Sequence, residues 1–279
     1  MNAADSPILV LGASGAVGSF LLTRLARAGF PTIAVSRRAP TAIAPGTTWL
    51  QHDLERRAAP AESRVLLSAG PLHLAAAQVE AMRGVRRVVA LSSASVRFKQ
   101  RSRDAAERRT IAALIESEAQ LRETCARRGI AVTLLRPTLI YGGAGPSAIT
   151  PVADWLARRD WAPVAGRGLR QPVHAEDLAE AMLRAAARDE SGTETYELGG
   201  GETLTYPDFI RRIASAHGRD VRIVRVPAVA LLPLLRLARA TGRLASVTPA
   251  MVARQRMDLV VDDAAARGDL DWNPRPFRP

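Results

Sequence analysis

A glycine-rich segment near the start of the chain has the residue types and spacing of a phosphate-binding turn. Gly12, Gly15 and Gly18 follow the apolar run 8–11, and apolar residues at helical spacing come after them. Such glycines allow a tight bend and let backbone N–H groups approach a pyrophosphate, while the new helix points its positive end at the phosphates. The context predicts nucleotide binding, with an ordinary strand-to-helix turn as the alternative. The predicted binding residues here are Gly12, Ser14, Gly15, Ala16, Val17 and Gly18.

Two arginines come directly after the second predicted strand, where this kind of fold places the adenosine ribose. An acidic residue at that point would accept a hydrogen bond from the ribose 2′-hydroxyl, whereas an arginine accommodates a 2′-phosphate. Arginine also holds phosphate with several fixed donors. Arg37 and Arg38 therefore favour NADP(H) over NAD(H) as the cofactor, with two solvated arginines in an arginine-rich chain as the alternative.

Motifs further along the chain carry a family resemblance. The Gly-x-x-Gly-x-x-Gly spacing, Leu91-Ser92-Ser93-Ala94-Ser95-Val96, and the segments 136–142 and 171–179 resemble the short-chain dehydrogenase/reductase superfamily in its extended and atypical, epimerase/dehydratase-like branches. The segment 269–277 is similar to the Leu-Gly-Trp-x-Pro ending of that family, with Asp271 in place of the glycine. The resemblance covers nearly the whole chain and implies a Rossmann-like fold that binds a nicotinamide cofactor.

The resemblance also implies roles for residues at the strand ends. Asp53 would accept a hydrogen bond from the adenine amino group, and Leu54 would supply an apolar wall. Small residues after the fourth strand would let the ribose and phosphates approach the backbone, although a simple turn explains them as well. Further cofactor-binding residues predicted in this way are Ser68, Ala69, Gly70, Ser92, Pro137 and Thr138.

The catalytic pair of that family, Tyr-x-x-x-Lys, is missing from its expected helix. No tyrosine lies between residues 92 and 135, and Lys99 is the only lysine in the chain. Aligning on Glu118, which resembles the acidic residue of the family, places Thr110 and Leu114 at the positions of the pair. An alkyl hydroxyl is far less acidic than a phenol, so the usual alcohol/ketone or sugar-epimerase chemistry is in doubt.

Two residues are left as candidates near a reacting oxygen. Ser93 matches the serine that hydrogen-bonds the substrate oxygen in the family, or else it caps the following turn. Tyr141 is the best-placed remaining phenol and is expected to face the substrate cleft, with packing between two lobes as the alternative. His174 and Asp177 are expected to be mainly structural, and a general-base role for His174 is the alternative.

Two functions of different classes are compatible with these features. The first is an NADPH-dependent oxidoreductase with a non-standard proton donor or none, acting on a small molecule such as an apolar or conjugated acceptor. The second is a non-catalytic NADP(H)-binding protein, either a redox sensor or a subunit of an assembly. A closed apolar cleft over the nicotinamide would favour the enzyme, and exposed apolar surface on the C-terminal lobe would favour the alternative.

The elements that must position these residues alternate between strand and helix, which predicts an α/β fold with a doubly wound parallel sheet. Residues 1–142, with about 174–200 returning, are expected to form the Rossmann domain. Residues 143–173 and 201–279 are expected to form a smaller α/β lobe. The segment 53–64 leaves little room for a crossover helix. Long helices are predicted at 71–82, 105–127 and 175–187.

Composition narrows the function classes. The net charge is +12, but the arginines are scattered and aromatic residues make up only 4% of the chain, so no nucleic-acid partner is predicted. A single cysteine, Cys125, excludes an internal disulfide and fits a reducing compartment. The start of the chain does not read as a signal peptide, and a cytoplasmic location is expected. The chain is expected to be a monomer or a homodimer.

The sequence predicts neither a metal site nor a membrane span. The four histidines are isolated in the sequence, so no metal site is predicted. The apolar run 226–235 is too short to span a bilayer and contains Pro233. It is expected to cover a pocket or pack on the core, while the basic residues after it, Arg236, Arg239 and Arg243, leave a weak contact with a membrane surface as the alternative.

Overall fold

A computed structural model describes most of the chain. The described residues are 6–38, 40, 42–143, 147, 149–188, 192–227, 229–231 and 249–279. Half of the apolar run 226–235, together with the three arginines after it, lies outside the described residues. The prediction for that segment therefore stays a prediction.

The sequence folds into thirteen strands and nine helices within the described residues. The strands are β1 (Ile8–Leu11), β2 (Thr32–Ser36), β3 (Thr47–Gln51), β4 (Val65–Ser68), β5 (Arg87–Leu91), β6 (Ala131–Pro137), β7 (Ile140–Tyr141), β8 (Trp161–Val164), β9 (Leu169–Arg170), β10 (Val173–His174), β11 (Thr193–Leu198), β12 (Leu204–Thr205) and β13 (Arg222–Arg225). The helices are α1 (Ala16–Arg27), α2 (Leu72–Ala81), α3 (Ser95–Phe98), α4 (Ala105–Arg127), α5 (Thr150–Leu156), α6 (Ala175–Ala187), α7 (Tyr206–Ala216), α8 (Pro249–Arg254) and α9 (Ala264–Asp269).

Seven strands form one parallel sheet in the order β3-β2-β1-β4-β5-β6-β11. The order reverses direction between β1 and β4. In open α/β sheets, ligands bind at such a reversal, outside the carboxyl ends of the strands. The predicted doubly wound fold is confirmed, and its geometry points to the glycine turn after β1 as one wall of a ligand site.

Each face of the sheet is covered by helices because the strands are apolar on both sides. Val10 and Leu67 pack on one face with α1 and α6, whereas Leu9 and Leu66 pack on the other with α2 and α4. The alternation along a strand sends neighbouring side chains to opposite faces. This two-sided core fixes where the strands end and hence where the residues after them lie.

The connection from β3 to β4 contains no helix over residues 52–64, all of which the structure describes. It lies against α2 instead. The buried Gln78 side chain accepts from the Ala59 N–H at 2.7 Å and donates to the Ala59 carbonyl at 3.0 Å. These two hydrogen bonds satisfy backbone groups that a crossover helix would have satisfied internally. The expected loss of this helix is confirmed.

A smaller lobe surrounds a separate apolar cluster that includes Tyr141, Phe209 and Phe277. Two-residue and four-residue strands pair there as β7–β10, β9–β12 and β8–β13. The tail differs from the predicted division, because Leu270 and Trp272 pack with the main sheet domain, and Trp272 donates to the Gly199 carbonyl at 3.0 Å. Between these two residues the backbone has a positive φ of 48°, at the aspartate that replaces the glycine of the family's ending.

Among the described residues, no helix is both long enough and apolar enough to cross a membrane. The same part of the chain holds no group of three or more histidine, cysteine or acidic residues arranged to bind a metal ion.

Candidate functional site

Two cavities lie side by side at the carboxyl ends of the sheet. The smaller has a volume of about 310 Å³ and the larger about 510 Å³. Gly15 lines the smaller cavity, and its neighbour Ala16 lines the larger. The glycine turn and the start of α1 therefore lie where the two cavities meet.

The three glycines of the turn are glycine for different structural reasons. Gly12 has a positive φ of 70°, and a Cβ there would lie 2.6 Å from the Gly70 nitrogen. A Cβ on Gly18 would lie 2.2 Å from the Gly12 oxygen, so this glycine allows the helix to pack on the turn. Gly15 is different, because among the described residues its Cβ would meet only the Gly12 oxygen, at 3.2 Å, within 4 Å. Fold packing requires the first and third glycines, and the middle one leaves its face open to a ligand.

The N-terminus of α1 is suited to an anion. Gly15 is the N-cap residue, no side chain caps the helix, and the first turn holds no acidic residue. The first N–H groups of a helix lack intrahelical partners and carry the positive end of its dipole. Ser14 is exposed beside them, whereas Val17 is buried in the core and can offer only its backbone. These features fit a pyrophosphate.

The smaller cavity contains most of the residues predicted for adenosine. Arg37, Asp53 and Leu54 line it. Ala69 and Gly70 line it as well, on the opposite side of the glycine turn. The Asp53 carboxylate accepts from the Glu55 N–H at 3.2 Å and pairs with Arg56 at 3.4 Å. One arginine, an acid and an apolar wall thus face the same space.

Two residues predicted beside them are placed differently. Arg38 is exposed and is not part of the cavity wall, and its backbone N–H and carbonyl both bond the Ser36 hydroxyl. Ser68 is 1% exposed at the end of β4, and its hydroxyl is buried without a partner among the described residues. The side chains of both residues are therefore outside the wall that a nucleotide would contact.

The larger cavity brings together residues from β5, β6 and the smaller lobe. Ser93, Pro137 and Thr138 line it as predicted. The Ser93 hydroxyl accepts from the Ser95 N–H at 3.1 Å, so it both caps the turn and faces the cavity. Apolar side chains form much of the remaining wall, among them Phe98, Leu139, Ile140, Val152, Phe209 and Leu259.

Ser92, although next to Ser93, belongs to a buried polar network. Its hydroxyl donates to Glu118 on α4 at 2.5 Å, and the same carboxylate accepts from Arg136 Nε at 2.8 Å. Burial alone would raise the pKa of Glu118, but the hydrogen bonds from Arg136 and Ser92 outweigh burial and lower it. The network joins the ends of β5 and β6 to α4. Ser92 is therefore placed as a structural residue, and its predicted contact with a cofactor does not fit this position.

Tyr141 does not face the cleft. It is 1% exposed, packs edge-on against Phe277 with ring centroids 4.8 Å apart, and is absent from the wall of the larger cavity. Its hydroxyl donates to the Pro276 carbonyl at 3.3 Å and accepts from the Arg278 N–H at 3.2 Å. Burial raises the pKa of this phenol. The expectation that Tyr141 faces the substrate as a proton donor is wrong, because the returning C-terminal tail occupies the space in front of it.

The positions of the missing catalytic pair are also unsuited to chemistry. Thr110 is exposed on α4, and its hydroxyl bonds the Ala106 carbonyl at 3.1 Å. Leu114 packs against the core under the sheet. Neither residue lines the larger cavity. The described residues therefore offer no Tyr–Lys pair in the family's position.

The structure places at the larger cavity a residue that no sequence motif indicated. Lys99 follows α3 directly and lines the larger cavity with Ser93. Its ammonium lies 3.5 Å from the Glu107 carboxylate, in the first turn of α4. The sequence signal for Lys99 is that the single lysine of an arginine-rich chain lies six positions after Ser93.

Two arginines of the smaller lobe complete this side of the cavity. Arg254 pairs with Glu107 at 2.5 Å. Arg170 is 5% exposed and donates to the carbonyls of Leu169, Met257 and Arg254 at 2.7 to 2.8 Å. Burial lowers the pKa of Arg170 to about 10. Cationic groups from three segments of the chain therefore border an otherwise mostly apolar cavity.

Three further residues have structural placements. His174 caps α6, with Nδ1 accepting from the Glu176 N–H at 3.2 Å, and burial lowers its pKa. The Asp177 carboxylate accepts from the Arg275 backbone N–H at 3.0 Å and from the Arg275 guanidinium at 2.8 Å. Cys125 is fully buried, and burial raises the pKa of its thiol to about 11. None of these three side chains lines either cavity.

Residues 68–199, which contain the ends of β4, β5 and β6 and the segment around His174, match the NAD dependent epimerase/dehydratase family model. The match covers slightly less than half of the chain and shows a similarity to that family. The matched residues begin after the glycine turn, so the prediction of a ligand site at that turn depends on its geometry and not on the family model. The epimerase/dehydratase resemblance expected from the motifs is confirmed.

Two curated proteins are similar to parts of this chain. Uncharacterized protein y4nG of Sinorhizobium fredii (strain NBRC 101917 / NGR234) is 27% identical over 165 residues, which are 58% of this chain and 41% of that protein. Chloroplast stem-loop binding protein of 41 kDa b of Arabidopsis thaliana is 30% identical over 97 residues, which are 33% of this chain and 25% of that protein. The chain thus matches less than half the length of either relative.

A solved structure extends the likeness to the whole fold. MoeE5 in complex with UDP-glucose and NAD superposes with a TM-score of 0.69 and 19% identity, covering 97% of this chain and 94% of that chain. At this level of identity the likeness establishes the fold alone. It agrees with the seven-stranded parallel sheet and the smaller lobe described above.

Proposed function

We propose that the chain is an NADP(H)-binding oxidoreductase of the epimerase/dehydratase family with a non-standard active site. The observation that carries the proposal is the meeting of two cavities at Gly15 and Ala16. A dinucleotide has two nucleoside halves joined by a pyrophosphate, and this arrangement offers one cavity for each half with an uncapped helix end between them. The NAD named in the MoeE5 structure supports the same class of cofactor.

The residues that would hold the cofactor follow from the walls. Asp53 and Leu54 would receive the adenine, and the turn around Gly15 would receive the pyrophosphate. Arg37 would contact a ribose 2′-phosphate, because it lines the smaller cavity and the described residues contain no carboxylate paired with it. Pro137 and Thr138 would line the nicotinamide. The position of Arg37 in the wall of the smaller cavity is the basis for proposing NADP(H) rather than NAD(H).

When bound, a nicotinamide cofactor supplies hydride transfer. The protein would supply orientation and a largely water-excluding wall of apolar side chains around a small-molecule substrate. Ser93 would hydrogen-bond the substrate oxygen, since its hydroxyl faces the larger cavity. An apolar or conjugated carbonyl compound suits this wall better than a free sugar does.

Consumption of NADPH tests the proposal. Purified protein is mixed with NADPH and a panel of quinones, enones and aldehydes, and absorbance at the reduced-nicotinamide band is followed. We expect substrate-dependent loss of NADPH with at least one compound, and no loss with the Gly15→Val variant, which blocks the turn. Binding of NADPH without consumption across the panel would contradict the oxidoreductase part of the proposal.

The second candidate is a non-catalytic NADP(H)-binding sensor or assembly subunit. The exposed position of Thr110 and the core position of Leu114 favour it, because the nucleotide cradle is kept while the usual catalytic positions are not. The same assay separates the two functions. A sensor would bind NADPH with an affinity that changes when its partner is added. It would leave every carbonyl compound of the panel unreduced.

A further inference from the structure

A cluster of charged side chains borders the larger cavity. Three segments of the chain contribute to it: the residue after α3, the first turn of α4 and the end of α8. Their charged residues are Lys99, Glu107 and Arg254. Arg170, on β9, lines the same cavity and donates to the Arg254 carbonyl at 2.7 Å.

The cluster holds two cations for one carboxylate. Arg254 NH1 lies 2.5 Å from one Glu107 oxygen, and the Ser102 hydroxyl donates to that same oxygen at 2.6 Å. Lys99 Nζ is left with the other oxygen at the longer distance of 3.5 Å. The lysine is thus only partly compensated by the carboxylate and is free to exchange its proton with a group in the cavity.

We propose that Lys99 is the acid–base residue of the larger cavity and exchanges a proton with a substrate oxygen held by Ser93. This rests on the proposed function. In reduction, an N–H bond of the ammonium breaks and an O–H bond forms on the substrate oxygen, which leaves a neutral amine. Water then returns a proton to the amine. In the oxidative direction, the neutral amine takes the proton of a substrate hydroxyl.

The surroundings of Lys99 suit this task. Burial, followed by the positive charge of Arg254, lowers the pKa of the Lys99 ammonium, and Glu107 only partly offsets this. A proton donor is most effective when its pKa approaches the working pH. An arginine with its ordinary pKa in place of Lys99 could not act in the same way, because it keeps its proton near neutral pH. The single lysine in this chain therefore occupies a position that none of its arginines could fill.

The chain offers a direct measurement because it contains one lysine. Reductive methylation with ¹³C-formaldehyde labels Lys99 and the terminal amine, and the Lys99→Met variant identifies the lysine signal. We expect its NMR titration midpoint to lie clearly below the ordinary lysine value of about 10.4. Arg254→Gln should raise the midpoint, and Glu107→Gln should lower it. A midpoint at the ordinary value that ignores both substitutions would overturn the proposal.

Turnover distinguishes proton transfer from simple charge. With the best carbonyl compound of the panel, Lys99→Met should lose about 10²–10⁴-fold in turnover, and Lys99→Arg should lose as much because arginine keeps its proton. Full activity in Lys99→Arg would overturn the acid–base role. NADPH affinity, measured by calorimetry, should stay unchanged in both variants. A lowered NMR midpoint without turnover of any compound would refute the proposed reaction while supporting the titration of Lys99.

Discussion

Replacing Gly15 with valine separates ligand binding from folding. Gly15 has φ −79° and ψ 171°, an extended conformation that valine also adopts. The added Cβ would lie 3.2 Å from the Gly12 oxygen and would meet no other atom of the described part of the chain within 4 Å. Because glycine is a better N-cap residue than valine, we expect a loss of no more than about 1 kcal/mol in the free energy of unfolding.

The effect on nucleotide binding should be much larger. The valine side chain would stand where the pyrophosphate approaches the first N–H groups of α1. Losing two hydrogen bonds to a charged group, at about 1.5–3 kcal/mol each, weakens binding by about 3–6 kcal/mol. That corresponds to about 10²–10⁴-fold in the dissociation constant.

Calorimetry with NADPH and thermal unfolding, measured on the same preparations, check both parts. Gly268→Val is the matched control, because a Cβ at Gly268 on α9 meets nothing within 4 Å, and this variant should bind NADPH normally. Gly18→Ala should fail to fold, since its Cβ would lie 2.2 Å from the Gly12 oxygen. Undiminished NADPH binding by a folded Gly15→Val protein would refute the placement of the pyrophosphate at this turn.

Three further predictions concern single side chains. Arg37→Ala should weaken NADPH binding by about 1.5–3 kcal/mol and leave NADH binding unchanged in calorimetry. Arg38→Ala is the matched control and should change the affinity for neither nucleotide. Equal effects of the two substitutions would contradict the cavity geometry. Glu118→Gln should cost roughly 3 kcal/mol of unfolding free energy at pH 7. Because the pKa of Glu118 is lowered in the folded protein, its ionised form stabilises the fold above the usual carboxyl pKa, and this stabilisation is lost as the pH falls through the folded pKa. The difference in unfolding free energy between wild type and Glu118→Gln, measured by urea unfolding, should therefore narrow below about pH 4. A difference that stays constant with pH would be inconsistent with this origin. Tyr141→Phe should lower stability by about 1–2 kcal/mol and leave turnover unchanged; a large drop in turnover of the folded variant would return Tyr141 to the mechanism.

Much of the fold could be predicted because its signals are local. The helix at 105–127 was predicted to the residue, and it begins at an aspartate whose carboxylate accepts from the Ala106 N–H at 2.9 Å. The helix at 175–187 was also predicted to the residue, and it presents a continuous apolar side to the sheet. The two-residue strands of the smaller lobe have no comparable signal, since so short a run shows no periodicity.

The side chains that face the cleft could be predicted only in part. Residues next to a strand end, such as Arg37 and Thr138, line the cavities because the sheet fixes where a strand ends, and their predicted contacts with a cofactor stay predictions. The orientation of Tyr141 depends on the tail at Phe277, which is far away in the sequence. The environment of Lys99 likewise depends on Arg254, more than a hundred residues away.

A calorimetric titration of the purified protein with NADPH and with NADH, at physiological salt, tests the central claim most directly. The two cavities that meet at the glycine turn, with Arg37 in the smaller one, predict one molecule of NADPH bound per chain and an affinity for NADH that is weaker by about tenfold or more. Equal affinities would contradict the preference for the 2′-phosphate. Absence of binding by either nucleotide would contradict the dinucleotide site itself.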